Sequence, residues 1–177
     1  MKKEIAIPKG VDVNAEGMKV TVKGPKGMLE RDFHNPTMRG INIEIGEWFS
    51  VSSEDESRRI KAMVGTIAAH VRNMIIGVTK GYEYTLGIHY SHFPINVEVK
   101  GDEIHVKNFF GEKGARIART FGKVEVKATK DVITVKGINS EDVGQTALNI
   151  EQICRISGKD RRIFNDGIYI TSKGAGA

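Results

Sequence analysis

Side chains able to grip an anion crowd the end of the chain. Over residues 155–177, Arg155, Lys159, Arg161, Arg162 and Lys173 stand against Asp160 and Asp166, a local net charge of +3. A guanidinium presents a planar fork of donors that meets phosphate oxygens in pairs, and it also stacks on flat rings. Arg161 and Arg162 are adjacent, so on an extended chain they point to opposite sides and at most one can be buried. Asp166-Gly167 reads as a turn that holds this segment beside a strand over 168–171. On these residues alone two readings stand open, a solvated basic tail or a surface for a polyanion.

A second basic stretch runs through Lys107, Lys113, Arg116, Arg119 and Lys123, with Phe109 and Phe110 near its start. Exposed aromatics among cations can stack on unpaired bases, and the cations can meet phosphates that fix position without reading sequence. The alternative is that the rings plug the edge of a core, which is the expectation for at least one of the two.

Signals for catalysis are weak. His89 and His92 resemble a ligand pair, but residues three apart on a strand face opposite ways, and no acidic third ligand follows at useful spacing. They read as ordinary surface or edge histidines. Cys154, the single cysteine, falls on an apolar helical stripe and reads as a small core residue. One thiol excludes an intrachain disulfide framework and suits a reducing compartment. Gly24 and Gly27 are too close together for a nucleotide-binding loop. No cofactor or metal is expected.

The charge balance is modest: 27 Lys and Arg against 22 Asp and Glu, net +5, with a pI near 9.3. It fits an RNA partner without requiring one. Pro8, Lys9, Asp12 and Glu16 interrupt the region where a signal peptide needs an apolar run, and His70, Arg72 and Asn73 break the longest apolar segment. A cytoplasmic protein with no membrane partner is expected.

The elements that position these residues occur twice. Val11, Val13, Gly17, Val20, Val22, Lys23 and Gly27 recur as Ile95, Val97, Gly101, Ile104, Val106, Lys107 and Gly111, and Phe49 and Val51 as Ile133 and Val135, all at an offset of 84. Ile60, Val64, Ile67 and Val71 match Val143, Ala147, Ile150 and Cys154 with the offset slipping to 83. The alternation gives each sheet one apolar face, and the four-three-four spacing gives each helix one apolar stripe. The pattern predicts an α+β protein of two tandem related domains, 1–81 and 82–177, each a small, mostly antiparallel sheet packed by one helix. Ser53 and Glu56 form a capping box for the first helix, and Ser140 caps the second, with Glu141 and Asp142 at its positive end. Gly24-Pro25-Lys26-Gly27 is a hairpin turn between strands over 19–23 and 28–33, Trp48 and Phe49 open a strand and pack, and residues 82–90 form a strand. The Gly- and Ala-rich end, 174–177, is expected to fray.

The stretch carrying Gln152, Ile156, Lys159, Arg162, Phe164, Asp166-Gly167, Ile168-Tyr169-Ile170 and Lys173 resembles the family of large-subunit ribosomal protein six. The likeness is to the branch shared by archaea and eukaryotes, number nine in the eukaryotic count. Gly24-Pro25-Lys26-Gly27, Gly65-Thr66-Ile67, Asn73-Met74-Ile75-Ile76-Gly77-Val78-Thr79, residues 107–113 and residues 141–147 resemble it too, so the likeness covers nearly the whole chain. The resemblance implies a structural constituent of the large subunit that binds ribosomal RNA chiefly through its second domain and C-terminal segment. It places such a protein near the base of the factor-binding stalk, beside other ribosomal proteins and close to the RNA loop that translation GTPases contact, with the first domain facing outward. Arg155, Lys159, Arg161, Arg162, Phe164 and Lys173, together with Lys107, Lys113 and Arg116, are then the expected RNA-binding residues. A free-standing RNA-binding module is the alternative with nearly the same chain physics.

Overall fold

Apolar residues spaced four, three and four apart bury one face of each helix. In the structure, a computed structural model that describes residues 1–34, 40–55, 57–160 and 162–176, α1 (Arg58–Thr79) buries Ile60, Val64, Ile67 and Val71. The shorter α2 (Ser140–Ile153) buries Val143, Ala147 and Ile150, and Cys154 is buried just past its end. The chain divides into two units, Met1–Gly81 and Tyr82–Ala177.

The first unit holds β1 (Lys2–Ala6), β2 (Asp12–Glu16), β3 (Lys19–Gly24), β4 (Gly27–Asp32), β5 (Ile41–Ile45), β6 (Trp48–Ser53) and then α1. Its strands form two antiparallel sheets, ordered β1-β6-β5 and β2-β3-β4. Val20, Val22, Phe49 and Val51 reach zero exposure beneath α1. By length and composition α1 could cross a membrane. Nine of its residues are buried within the protein, however, which is what a core helix requires.

The second unit repeats the plan with β7 (Tyr82–His89), β8 (Asn96–Lys100), β9 (Glu103–Lys107), a 3₁₀ turn (Phe109–Gly111), β10 (Arg116–Arg119), β11 (Val124–Ala128), β12 (Val132–Gly137) and α2. It then adds β13 (Gly167–Ala175). The sheets run β10-β9-β8 and β11-β12-β7-β13, again antiparallel. Ile104, Val106, Ile133 and Val135, the repeat partners of Val20, Val22, Phe49 and Val51, are likewise fully buried. What the sequence duplicates is a core, one sheet face against one helix stripe.

Several local expectations are corrected. Each unit divides its strands between two small sheets rather than keeping them in one, and β1 is a strand the alternation did not flag. Helix α1 is capped by Ser57, whose hydroxyl accepts from the Ile60 amide at 3.4 Å; Ser53 sits four residues earlier and accepts from the Asp55 amide. Glu56, the other half of the expected capping box, lies outside the described residues. Helix α2 is capped by Asn139, which accepts from the Glu141 amide at 3.1 Å, and Ser140 is already helical. Asn and Ser are comparable caps, so type alone could not place the boundary to one residue. Phe49 packs but Trp48 does not; it is 54% exposed, because neighbours on a strand face opposite ways. The Gly- and Ala-rich end is held as far as Ala175, with Gly174 paired to Glu83 and Ala175 to Tyr82.

Candidate nucleic-acid interface

After α2 the described residues of the segment 155–166 form no helix or strand, and a buried carboxylate ties its end down. Asp166 is 1% exposed. Its two oxygens accept from the His92 backbone amide at 3.0 Å and meet the His92 ring Nδ1 at 2.9 Å. Burial pushes this carboxyl upward, but hydrogen bonds from the His92 ring and from the amides of His92 and Ser91 outweigh it and hold the group below the ordinary carboxylate range. Asp166-Gly167 is therefore an anchor and a strand start. The turn lies earlier, where the amides of Ile163 and Phe164 both reach back to the Asp160 carbonyl.

Around the anchor the aromatics collect. Phe164 stacks on His92 with centroids 4.9 Å apart and an interplanar angle of 27°. Phe110 meets Phe164 edge-on at 5.8 Å and Phe109 edge-on at 4.7 Å. The Lys159 ammonium lies 4.7 Å from the Phe164 centroid and 5.6 Å from that of Phe110, within cation–π range. This arrangement needs unusual backbone: Asn108 and Phe110 have φ of 59° and 52°, and the Asn108 side chain donates to the Pro94 carbonyl at 3.0 Å. Of the two phenylalanines, Phe109 plugs the core at 1% exposure while Phe110 turns toward the arm.

The cations divide into bound and presented. Arg116 grips both Glu112 oxygens at 2.8 and 2.6 Å, donates to the Ile153 carbonyl at 2.7 Å, and lies over the Phe109 ring at 4.4 Å. The hydrogen bond from Arg116 holds the Glu112 carboxyl below its usual range. Arg116 is thus a strut between the loop and the end of α2. Lys107 pairs with Glu98 at 2.7 Å, which keeps that carboxylate low, and Arg119 sits 3.4 Å from Glu103. Lys113 and Lys123 are exposed.

In the arm, Arg155 and Lys159 are exposed, and Lys173 projects from β13 beyond its bulge, exposed. Arg162 is 90% exposed at its side chain and forks onto Asp160, which holds that carboxyl low. Arg161 lies outside the described residues. The structure therefore brings Lys159, Phe164 and Phe110 together and sets Arg116 apart. Sequence reasoning missed His92 and Asp166 as a pair, because they stand 74 positions apart and nothing local marks one as the other's partner. Cys154 is buried, and desolvation pushes its thiol up to about 12, so it stays neutral. Among the described residues no group of three or more His, Cys, Asp or Glu could hold a metal ion.

This duplicated core with an appended arm has close counterparts. The family model described as Ribosomal protein L6 matches residues 7–81 and again 93–167, one match in each unit. The chain belongs to the ribosomal protein L6 family. It is 50% identical over 178 residues to the large ribosomal subunit protein uL6 of Methanosarcina mazei, covering 98% of this chain and 99% of that one. Against the proteins of the same name from Methanocella arvoryzae and Staphylothermus marinus, identity is 47% and 51%, covering 97% and 94% of this chain and 96% and 91% of theirs. The second match ends at Gly167, so it spans the segment up to the Asp166 anchor.

Proposed function

We propose that this protein is a structural, non-catalytic constituent of the large ribosomal subunit that binds and stabilises large-subunit ribosomal RNA through its second unit. The observation that carries the reading is the arm itself. Exposed Arg155, Lys159, Arg162 and Lys173 flank a segment pinned by a carboxylate that is 1% exposed. A cationic segment held rigid in this way spends less conformational entropy on meeting a folded polyanion than a loose tail does. Arg161 adds charge to the same segment, Phe164 positions Lys159, Lys113 extends the basic surface, and Lys107 joins it by leaving Glu98. Arg116 braces the site from within.

Lys and Arg meeting phosphates release counterions, so affinity falls steeply with salt, and duplex RNA is read by shape rather than by base. The names of the relatives support a place in the large ribosomal subunit; the family resemblance alone implies the base of the factor-binding stalk, among neighbouring ribosomal proteins and near where translation GTPases dock. No cofactor enters this role. The test is sedimentation of tagged protein expressed in cells of a related organism through a high-salt cushion. Stoichiometric recovery with the large subunit is expected; recovery in the top fraction identifies a free-standing RNA-binding module instead.

A further inference from the structure

The second unit also contains a cavity of about 880 Å³ that the phosphate-binding role does not use. It opens between the end of α2, the paired ends of β7 and β13, and the arm. Its volume is that of a small-ligand site. Its floor is neutral: Cys154 carries a thiol whose titration is pushed up to about 12 by burial, beside Ile168 and Ile156. The one acid in the lining, Glu151, is already occupied by the Ile170 amide at 3.1 Å. Charge in the lining is confined to Glu151 and Arg155, and the uncharged surface of Cys154, Ile156 and Ile168 suits a flat uncharged ring.

The walls are aromatic. His89 and Tyr169 lie side by side with centroids 6.0 Å apart and planes tilted by 40°, and the Tyr169 hydroxyl donates to the Asn165 carbonyl at 3.2 Å, which fixes its ring. Glycines make room for both. Tyr169 pairs with Gly87 across the strands and His89 with Gly167. A Cβ on Gly87 would come within 2.9 Å of the His89 ring, and one on Gly167 within about 3.0 to 3.2 Å of the Tyr169 ring. Phe164 is taken up by His92, Phe110 and Lys159, so Tyr169 and His89 form the platform. Gln152 and Asn165 offer amide edges, and Arg155 stands exposed at the rim.

We infer that this cavity receives one unpaired nucleobase of the bound RNA, stacked on Tyr169 and edged by Gln152 and Asn165, with its phosphate at Arg155. The inference rests on the RNA-binding reading and adds to it a site for a base extruded from the helix. Stacking on an aromatic residue suits this task because every base has a π-face.

The test compares two RNA hairpins of equal length at fixed salt, one fully paired and one carrying a single bulged 2-aminopurine. Tighter binding of the bulged hairpin by about 5- to 100-fold, with quenching of its fluorescence, is expected from one base stacked on an aromatic side chain. Tyr169→Leu should abolish that preference and leave the paired hairpin's affinity unchanged. Gln152→Leu, on the exposed side of α2, should reduce the preference without touching the core and serves if the Tyr169 variant folds poorly. Equal binding of both hairpins by the unaltered protein, with no quenching, overturns the base site while leaving RNA binding intact. Failure to bind either hairpin at low salt overturns both readings.

Discussion

At the turn between β3 and β4 the first unit places Pro25 and Lys26; at the matching turn of the second unit stand Phe109 and Phe110. The first turn is exposed and closes a plain hairpin, with the Lys26 amide donating to the Val78 carbonyl at 2.9 Å. The second drives one ring into the core and presents the other to the arm, at the cost of two non-glycine residues in the left-handed region. The difference continues after the helices. Gly81 ends α1 and the chain goes straight into β7, whereas α2 is followed by the arm, the Asp166 anchor and β13, which adds a fourth strand beside β7. One core plan thus serves as a plain scaffold in one copy and carries a built surface in the other. That teaches where the two copies of a duplicated fold part: in the loop, in a shorter helix and in the extension that adds a strand, with the buried core positions kept.

Substitutions at matched positions sharpen this contrast most. Phe109→Ala removes a fully buried ring and should destabilise the second unit by about 3–5 kcal/mol, while Pro25→Ala at the equivalent turn should stay within about 0.5 kcal/mol. Urea titration monitored separately in each unit by hydrogen exchange would show it; comparable losses at both sites would show that the two turns carry the same structural weight. Next in size, Asp166→Ala strands the His92 amide and ring and should cost about 1–3 kcal/mol, with faster exchange of amides over residues 155–166. Asp166→Asn, which keeps the shape and an acceptor, should lose less.

The same anchor predicts a pH response. The folded carboxyl of Asp166 is held below its unfolded value, so its contribution is fully present above the unfolded pKa of about 4 and is lost as pH falls through the lower folded value. Acid unfolding of the unaltered protein should therefore be steeper below about pH 4 than that of Asp166→Ala. Coincident acid profiles for the two would show that the His92 hydrogen bonds do not hold the charge. The smallest expected effect belongs to Arg162→Ala: its side chain is 90% exposed and its fork onto Asp160 is local, so the thermal midpoint should not move while RNA affinity falls at low salt. Arg116→Ala should do the reverse, lowering the midpoint and leaving the salt dependence of binding unchanged.

Much of this was legible in the residues. The repeated alternation and the four-three-four stripes carry both cores because burial periodicity is local and survives duplication. The basic arm was visible as composition. What composition could not show is which cations have their valence used up inside the protein. Arg116 lies in the same basic stretch as Lys113; its partner Glu112 is only four residues away, but the Ile153 carbonyl reaches it only once β10 and α2 have packed. The anchor was hidden for the same reason, since His92 and Asp166 meet through the fold. Helix starts slipped by one to four residues because Ser53, Ser57, Asn139 and Ser140 are all competent caps, and tertiary packing chose among them. Trp48 misled because a large ring suggests a core, whereas its strand parity sends it outward.

If the arm's cations meet phosphates as a preformed set, each of them adds to the salt dependence of binding. The direct measurement is the slope of log affinity against log salt for a large-subunit RNA fragment, compared between the unaltered protein and a variant with Arg155, Lys159, Arg162 and Lys173 all changed to Ala. Each lost phosphate contact should flatten the slope by about 0.7–0.9, so the four changes together should flatten it by roughly 3, while a control with Lys2, Lys3 and Lys23 changed to Ala keeps the original slope. An unchanged slope in the arm variant, or an equal flattening in the control, would contradict the account.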